Sequence, residues 1–254
     1  MLRSVSEAIG YKILAVDEPI GIVSDMYFDD ASWAVRYVVI DTGSWLPGRK
    51  VLISPESLGQ PDWRHATVPV TLTKERIENA PSIDTDQPVS RQHEIELAAY
   101  YGWPHYWASV GAPPIGTVPV GVVPRKRETQ SRRAGGDPHL RSIEEVTGYH
   151  IDAEDGRIGH VEDFVAETDG WQLRYLVVDT RDWLPGRKVL VAVGWIDHVT
   201  WASREVCVGL TCDEIKNSPK FNPGTAINRE YEVRLYDYYG RPKYWERPGY
   251  PMPI

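Results

Sequence analysis

Apolar residues fall along this chain in short runs, separated by Gly, Pro and Asp. Ile20-Gly21-Ile22-Val23-Ser24-Asp25-Met26-Tyr27-Phe28 is β-rich with partial alternation, and Trp33 to Ile40 ends in the unbroken run Tyr37-Val38-Val39-Ile40. Such a run marks a strand buried on both faces. Lys50 to Ile53 and Thr67 to Leu72 supply two more strands. A shorter one, Lys12 to Val16, is closed by the turn Asp17-Glu18-Pro19. Five or six short strands in about 70 residues predict a small antiparallel barrel or sandwich. Helices are minor. Thr211-Cys212-Asp213-Glu214 has capping-box spacing and opens a helix that Asn217-Ser218-Pro219 soon ends. Thr73 to Pro81 is the same element. A second short helix is expected over Arg91 to Tyr101 and again over Arg229 to Tyr239, stopping at Gly102 and Gly240.

The pattern is written twice. Asp41-Thr42-Gly43-Ser44-Trp45-Leu46-Pro47-Gly48-Arg49-Lys50-Val51-Leu52 returns as Asp179-Thr180-Arg181-Asp182-Trp183-Leu184-Pro185-Gly186-Arg187-Lys188-Val189-Leu190, an offset of 138 (179 − 41). The same offset holds without a gap from Leu2/Leu140 to Trp107/Trp245, with 44 of 106 positions identical. A gapless match of this length predicts two similarly folded units, each with its own core. Residues 1–107 form the first, 140–254 the second, and each ends in an aromatic tail, Tyr100 to Trp107 and Tyr238 to Trp245, expected to dock on a barrel. Residues 108–139 read as a linker, Pro/Gly-rich and then basic.

Composition sharpens this picture at three points. The chain has 10 Trp and 14 Tyr but only 3 Phe, which suits shallow cores and contact surfaces. Net charge is −8, which argues against a general nucleic-acid binder. The cysteines Cys207 and Cys212 occur only in the second unit, where Pro69 and Lys74 stand in the first, so the shared fold does not need them. Their odd spacing on an extended strand points them apart, and reduced thiols in a cytoplasmic protein are expected. No apolar run approaches the roughly 20 residues of a spanning helix.

The opening Leu-Arg-Ser-x-x-Glu, the Ile-Gly-x-Val-x-Asp strand (Ile20 to Asp25 and Ile158 to Asp163) and the Trp-Leu-Pro-Gly-Arg-Lys-Val-Leu turn together resemble the PRC-barrel family. That family joins the cytoplasmic part of the photosynthetic reaction centre H subunit to the C-terminal domain of a bacterial ribosome-maturation factor. The resemblance spans both units. It implies a mainly β chain with two PRC-type barrels in tandem, each a barrel of about six strands with one or two short helices. For function it implies a bacterial protein-binding module without family-wide catalytic residues. Neither name-giving function transfers, since the reaction-centre type of membrane anchor is not seen and the first unit begins at residue 2.

Chemistry-bearing patterns are scarce. None of His65, His93, His105, His139, His150, His160 and His198 pairs with another His or Cys at metal-ligand spacing, and none recurs between the units. No nucleophile elbow, phosphate loop or dinucleotide fingerprint is present. We therefore expect no catalytic residue, metal or cofactor. The paired acids Asp25/Asp163 and Asp41/Asp179 sit at strand ends, where an Asp commonly caps a turn. Arg36/Arg174 and Arg49/Arg187 are their expected partners.

Trp45, Leu46 and Arg49, with Trp183, Leu184 and Arg187, form the candidate contact surface, because Trp and Arg beside a Pro-Gly turn are typical interface residues. The competing reading packs the Trp across the barrel mouth and pairs the Arg internally. A third makes the turn the junction between the barrels, which in one chain would reproduce a homodimer's two-fold interface. The basic residues Arg125, Lys126, Arg127, Arg132 and Arg133 could give a weak contact with an anionic surface. The expectation is a non-enzymatic scaffold or adaptor for a protein partner, with a homo-oligomer allowed for. The alternatives are a small-ligand receptor with a pocket between the barrels, and an RNA- or ribosome-associated factor.

Overall fold

The computed structural model describes residues 1–43, 46, 50–81, 89, 91–109, 139–180, 187–225 and 227–246. The first half contains strands β1 (Leu2–Ser4), β2 (Lys12–Leu14), β3 (Pro19–Asp29), β4 (Val35–Asp41), β5 (Lys50–Ile53) and β6 (Thr67–Pro69), then helices α1 (Lys74–Glu78) and α2 (Arg91–Tyr101). The second half contains β7 (Leu140–Ser142), α3 (Ile143–Val146), β8 (His150–Ala153), β9 (Gly156–Glu167), β10 (Gln172–Asp179), β11 (Lys188–Ala192), β12 (Ile196–Thr200), β13 (Glu205–Val208), α4 (Cys212–Asn217), β14 (Lys220–Phe221) and α5 (Arg229–Tyr239). The chain is mainly β, with two sheets and few helices.

The sheets run β5-β4-β3-β2-β6 and β12-β13-β8-β9-β10-β11-β14, and neither order closes into a ring among the described strands. Most pairs are antiparallel, but β2/β6 and β8/β13 are parallel, which corrects the expectation of purely antiparallel pairing. The reason is topological. β6 and β13 reach their partners after a long excursion through three or more intervening strands, and a strand arriving that way can enter in either direction.

Local detail repeats at the offset of 138. Trp33 and Trp171 both adopt positive φ (59° and 49°), as do Ala66 and Arg204 (53° and 56°). Left-handed backbone is uncommon for residues other than Gly, Asn and Asp, so its recurrence at matching positions reflects matching turns. Gly21 and Gly159 explain the Ile-Gly-x-Val-x-Asp motif. A Cβ at either would meet the carbonyl oxygen of Asp41 or Asp179 at about 2 Å, closer than any side chain tolerates.

The first strand of each half lies in the other half's sheet. β1 pairs with β9 (Leu2↔Glu167, Arg3↔Ala166, Ser4↔Val165). β7 pairs with β3 in the equivalent register (Leu140↔Asp29, Arg141↔Phe28, Ser142↔Tyr27). The contacts are reciprocal beyond the strands. The amide of Val35 donates to the Trp171 carbonyl at 2.8 Å, and that of Leu173 to the Trp33 carbonyl at 2.9 Å. Phe28 stacks on Trp33 at 5.3 Å and meets Phe164 at 5.7 Å. One buried apolar cluster therefore runs through both halves, where separate cores were expected.

Candidate functional site

Two duplicated polar clusters and one repeated turn hold the residues that the sequence singled out. The first cluster sits where the exchanged strands arrive. Asp163 on β9 accepts from the hydroxyls of Ser4 and Ser6 and from the Ser6 amide at 3.1 Å. Asp25 on β3 accepts from the Ser142 hydroxyl at 2.6 Å and the Glu144 amide at 3.1 Å. Each carboxylate thus holds the opening of the opposite half's chain, and at α3 it adds to the cap supplied by Ser142. Burial pushes the Asp25 carboxyl above its ordinary value, against the pull of Ser142 and the Glu144 amide.

This corrects the expected pairing of these acids with arginines. Arg174 instead bonds Glu167, Arg36 bonds the Ser32 hydroxyl at 3.1 Å, and Arg187 donates to the Ser218 carbonyl. Hydroxyl and amide donors satisfy a buried carboxylate without bringing a second charge out of water. Asp41 behaves as its strand-end position implies and accepts from the Gly43 amide at 2.8 Å.

The second cluster anchors the aromatic tails. Glu94 on α2 is fully buried, and its Oε2 accepts from the Tyr37 hydroxyl at 3.0 Å and the Tyr106 hydroxyl at 2.7 Å. Arg91 forms an ion pair with its Oε1 at 3.0 Å. Glu232 on α5 repeats this, accepting from Tyr175 at 2.6 Å and Tyr244 at 2.8 Å and pairing with Arg229 at 3.0 Å. The guanidinium of Arg91 lies 4.2 Å from the Trp107 ring and that of Arg229 lies 4.1 Å from Trp245. Burial and the adjacent Glu push the hydroxyls of Tyr37 and Tyr175 well above the usual tyrosine range, so they remain donors. Each tail therefore docks on its own half. Glu94 and Glu232 were not singled out from the sequence. An acid repeated in the first helical turn, with Arg three residues before it, was the available signal.

The repeated turn is described only in part. Leu46 is half-buried, and its carbonyl accepts from the Thr42 hydroxyl at 3.1 Å. The carbonyl of Arg187 accepts from the Thr180 hydroxyl at 3.0 Å. Trp45, Arg49, Trp183 and Leu184 lie outside the described residues, as do most of 108–139 and the basic residues Arg125 to Arg133. Cys207 and Cys212 are free thiols. Cys212 opens α4, and burial together with Asp155 pushes its thiol up to about 11. Among the described residues no group of three His, Cys, Asp or Glu could hold a metal ion, and no helix is long and apolar enough to cross a membrane.

No curated protein matches the chain. Residues 2–68, which run from β1 into β6, match the family model of the PRC-barrel domain.

Proposed function

We propose that this chain is a protein-binding scaffold, formed by two PRC barrels packed as a pseudo-symmetric pair and acting without catalysis. The observation that carries the reading is the reciprocal exchange of β1 and β7. It joins the halves through backbone hydrogen bonds and a common core, and a rigid body of this kind can hold two related faces at a set spacing. The PRC-barrel match at residues 2–68 supports the first barrel, and the internal repeat extends the resemblance to the second. Asp25 and Asp163 are engaged by hydroxyl and amide donors from the opposite half. The proposed contact face is the repeated turn with Trp45, Leu46, Arg49, Trp183, Leu184 and Arg187, and the proposed setting is the cytoplasm.

Affinity capture from the native host, followed by native mass spectrometry, tests this reading. Wild-type chain should carry a stoichiometric protein partner, and Trp45→Ala/Trp183→Ala should lose it while keeping its circular dichroism. A chain recovered without any protein partner refutes the scaffold. An assembly untouched by the double variant refutes the assigned face.

A further inference from the structure

The two halves differ where the first tail docks, and the differences coincide. A cavity of about 340 Å³ lies there, lined by Tyr37, Trp103, Tyr106, Trp107, Ala98 and Arg36. Its volume lies within the range of small-molecule sites. Ala98 opens it. At the matching position the second half has Tyr236, whose ring packs 5.0 Å from Trp195, 5.1 Å from Trp245 and 6.0 Å from Tyr244. A missing tryptophan is not the cause, because each half supplies one from a different chain position. Trp103 stacks on Tyr101 at 4.3 Å and donates its indole N–H to the Ser57 hydroxyl at 2.7 Å. Trp195, at the position of Ser57, lies 4.6 Å from Tyr239, the match of Tyr101. What the first half lacks beside this tryptophan is the tyrosine.

A second substitution frees a donor at the same place. In the second half Glu167 accepts from Nε and Nη2 of Arg174. In the first half the matching acid is Asp29, one methylene shorter, and it accepts instead from the amide and hydroxyl of Ser32, both at 2.7 Å. Arg36 is left stacked on the Tyr106 ring at 3.9 Å, with Nη2 on Ser32. Its Nε is buried and has no acceptor among the described residues. A guanidinium without the carboxylate that its counterpart Arg174 holds thus lines a cavity with unfilled aromatic volume, and a ligand carrying both an anionic group and a ring matches the two.

We propose that this cavity binds a small planar aromatic carboxylate, with its ring among Trp103, Tyr106 and Trp107 and its carboxylate on Arg36. Glu56 and His105, both exposed, also line the cavity. The site is independent of the repeated turn, so it stands or falls apart from the scaffold reading.

The test uses full-length chain with indole-3-acetate and its neutral amide as probes, read by the indole N–H resonances of Trp103 and Trp107. The acid should shift both saturably, and the amide should bind about tenfold or more weakly, the usual worth of a charge-assisted hydrogen bond. Ala98→Tyr, which installs the second half's residue, should abolish binding of both probes. Arg36→Gln should make acid and amide equal, and this variant decides the matter if Ala98→Tyr does not fold. The proposal is overturned if neither resonance shifts saturably, if Ala98→Tyr binds undiminished, or if wild type does not distinguish acid from amide.

Discussion

At the scale of the residue, the clearest commitments are buried carboxylates with assigned donors. Glu232 accepts from two tyrosine hydroxyls and pairs with Arg229, so Glu232→Ala removes all three of these interactions. We expect a loss of about 2–4 kcal/mol in urea unfolding, with a red shift of tryptophan emission as the tail of Trp245 loosens. Buried Asp25 and exposed Asp17 and Asp155 set opposing pH dependences. Asp25 has a folded pKa above its unfolded value, so its ionisation opposes folding. Its unfavourable contribution is absent below the unfolded pKa and grows as pH rises through the folded one. Asp25→Asn, which keeps an acceptor for Ser142, should therefore gain stability relative to wild type as pH rises through that window. Asp17 and Asp155 behave the opposite way. The amides of Lys74 and Cys212 hold their carboxyls below the ordinary value, so their contribution is present above the unfolded pKa and lost as pH falls through the folded one. Asp155→Asn should flatten the acid limb of a plot of Tm against pH. If the Asp25 and Asp155 variants shift that plot in the same sense, one assignment is wrong.

At the scale of the element, glycines separate crowding from conformation. Gly159 has φ +71°, and a Cβ there would meet the Asp179 carbonyl, whereas Gly148 has φ +92° with nothing within 4 Å. Gly148→Ala should cost about 1–2 kcal/mol, the strain of left-handed backbone alone. Gly159→Ala should cost clearly more, because β9 must part from the end of β10. Equal midpoints for the two variants in urea would contradict the crowding. Most of these elements were legible beforehand. β3, β4, α2 and α5 lie within a residue or two of the expected spans, because a buried apolar run or a Gly C-cap is a local signal. Gly240, for example, takes φ 60° at the end of α5. The parallel pairs β2/β6 and β8/β13 were not legible, since no local pattern reports the direction from which a distant strand returns.

At the scale of the whole molecule, the exchange of β1 and β7 makes the halves interdependent. Calorimetry should give one transition with equal van't Hoff and calorimetric enthalpies. A protease site inserted between Arg127 and Arg132 should, after cleavage, leave two fragments that elute together. Two resolved transitions, or fragments that separate, would mean that the strand exchange is too weak to join the halves.

The sequence by itself determined the repeat, its register, and the short strands and helices. These follow from local patterns and self-similarity, which a linear string carries. Only the tertiary structure decided which half each first strand joins, because Leu-Arg-Ser reads the same whichever sheet it completes. Only the tertiary structure turned Asp25 and Asp163 into clasps for the opposite chain opening, and Glu94 and Glu232 into anchors for the tails. A carboxylate's role depends on which donors reach it, and those donors come from positions far away in the chain. The cavity beside Arg36 is of the same kind. Ala98 and Asp29 are unremarkable in the string, and only packing brings their two small deficits to one place.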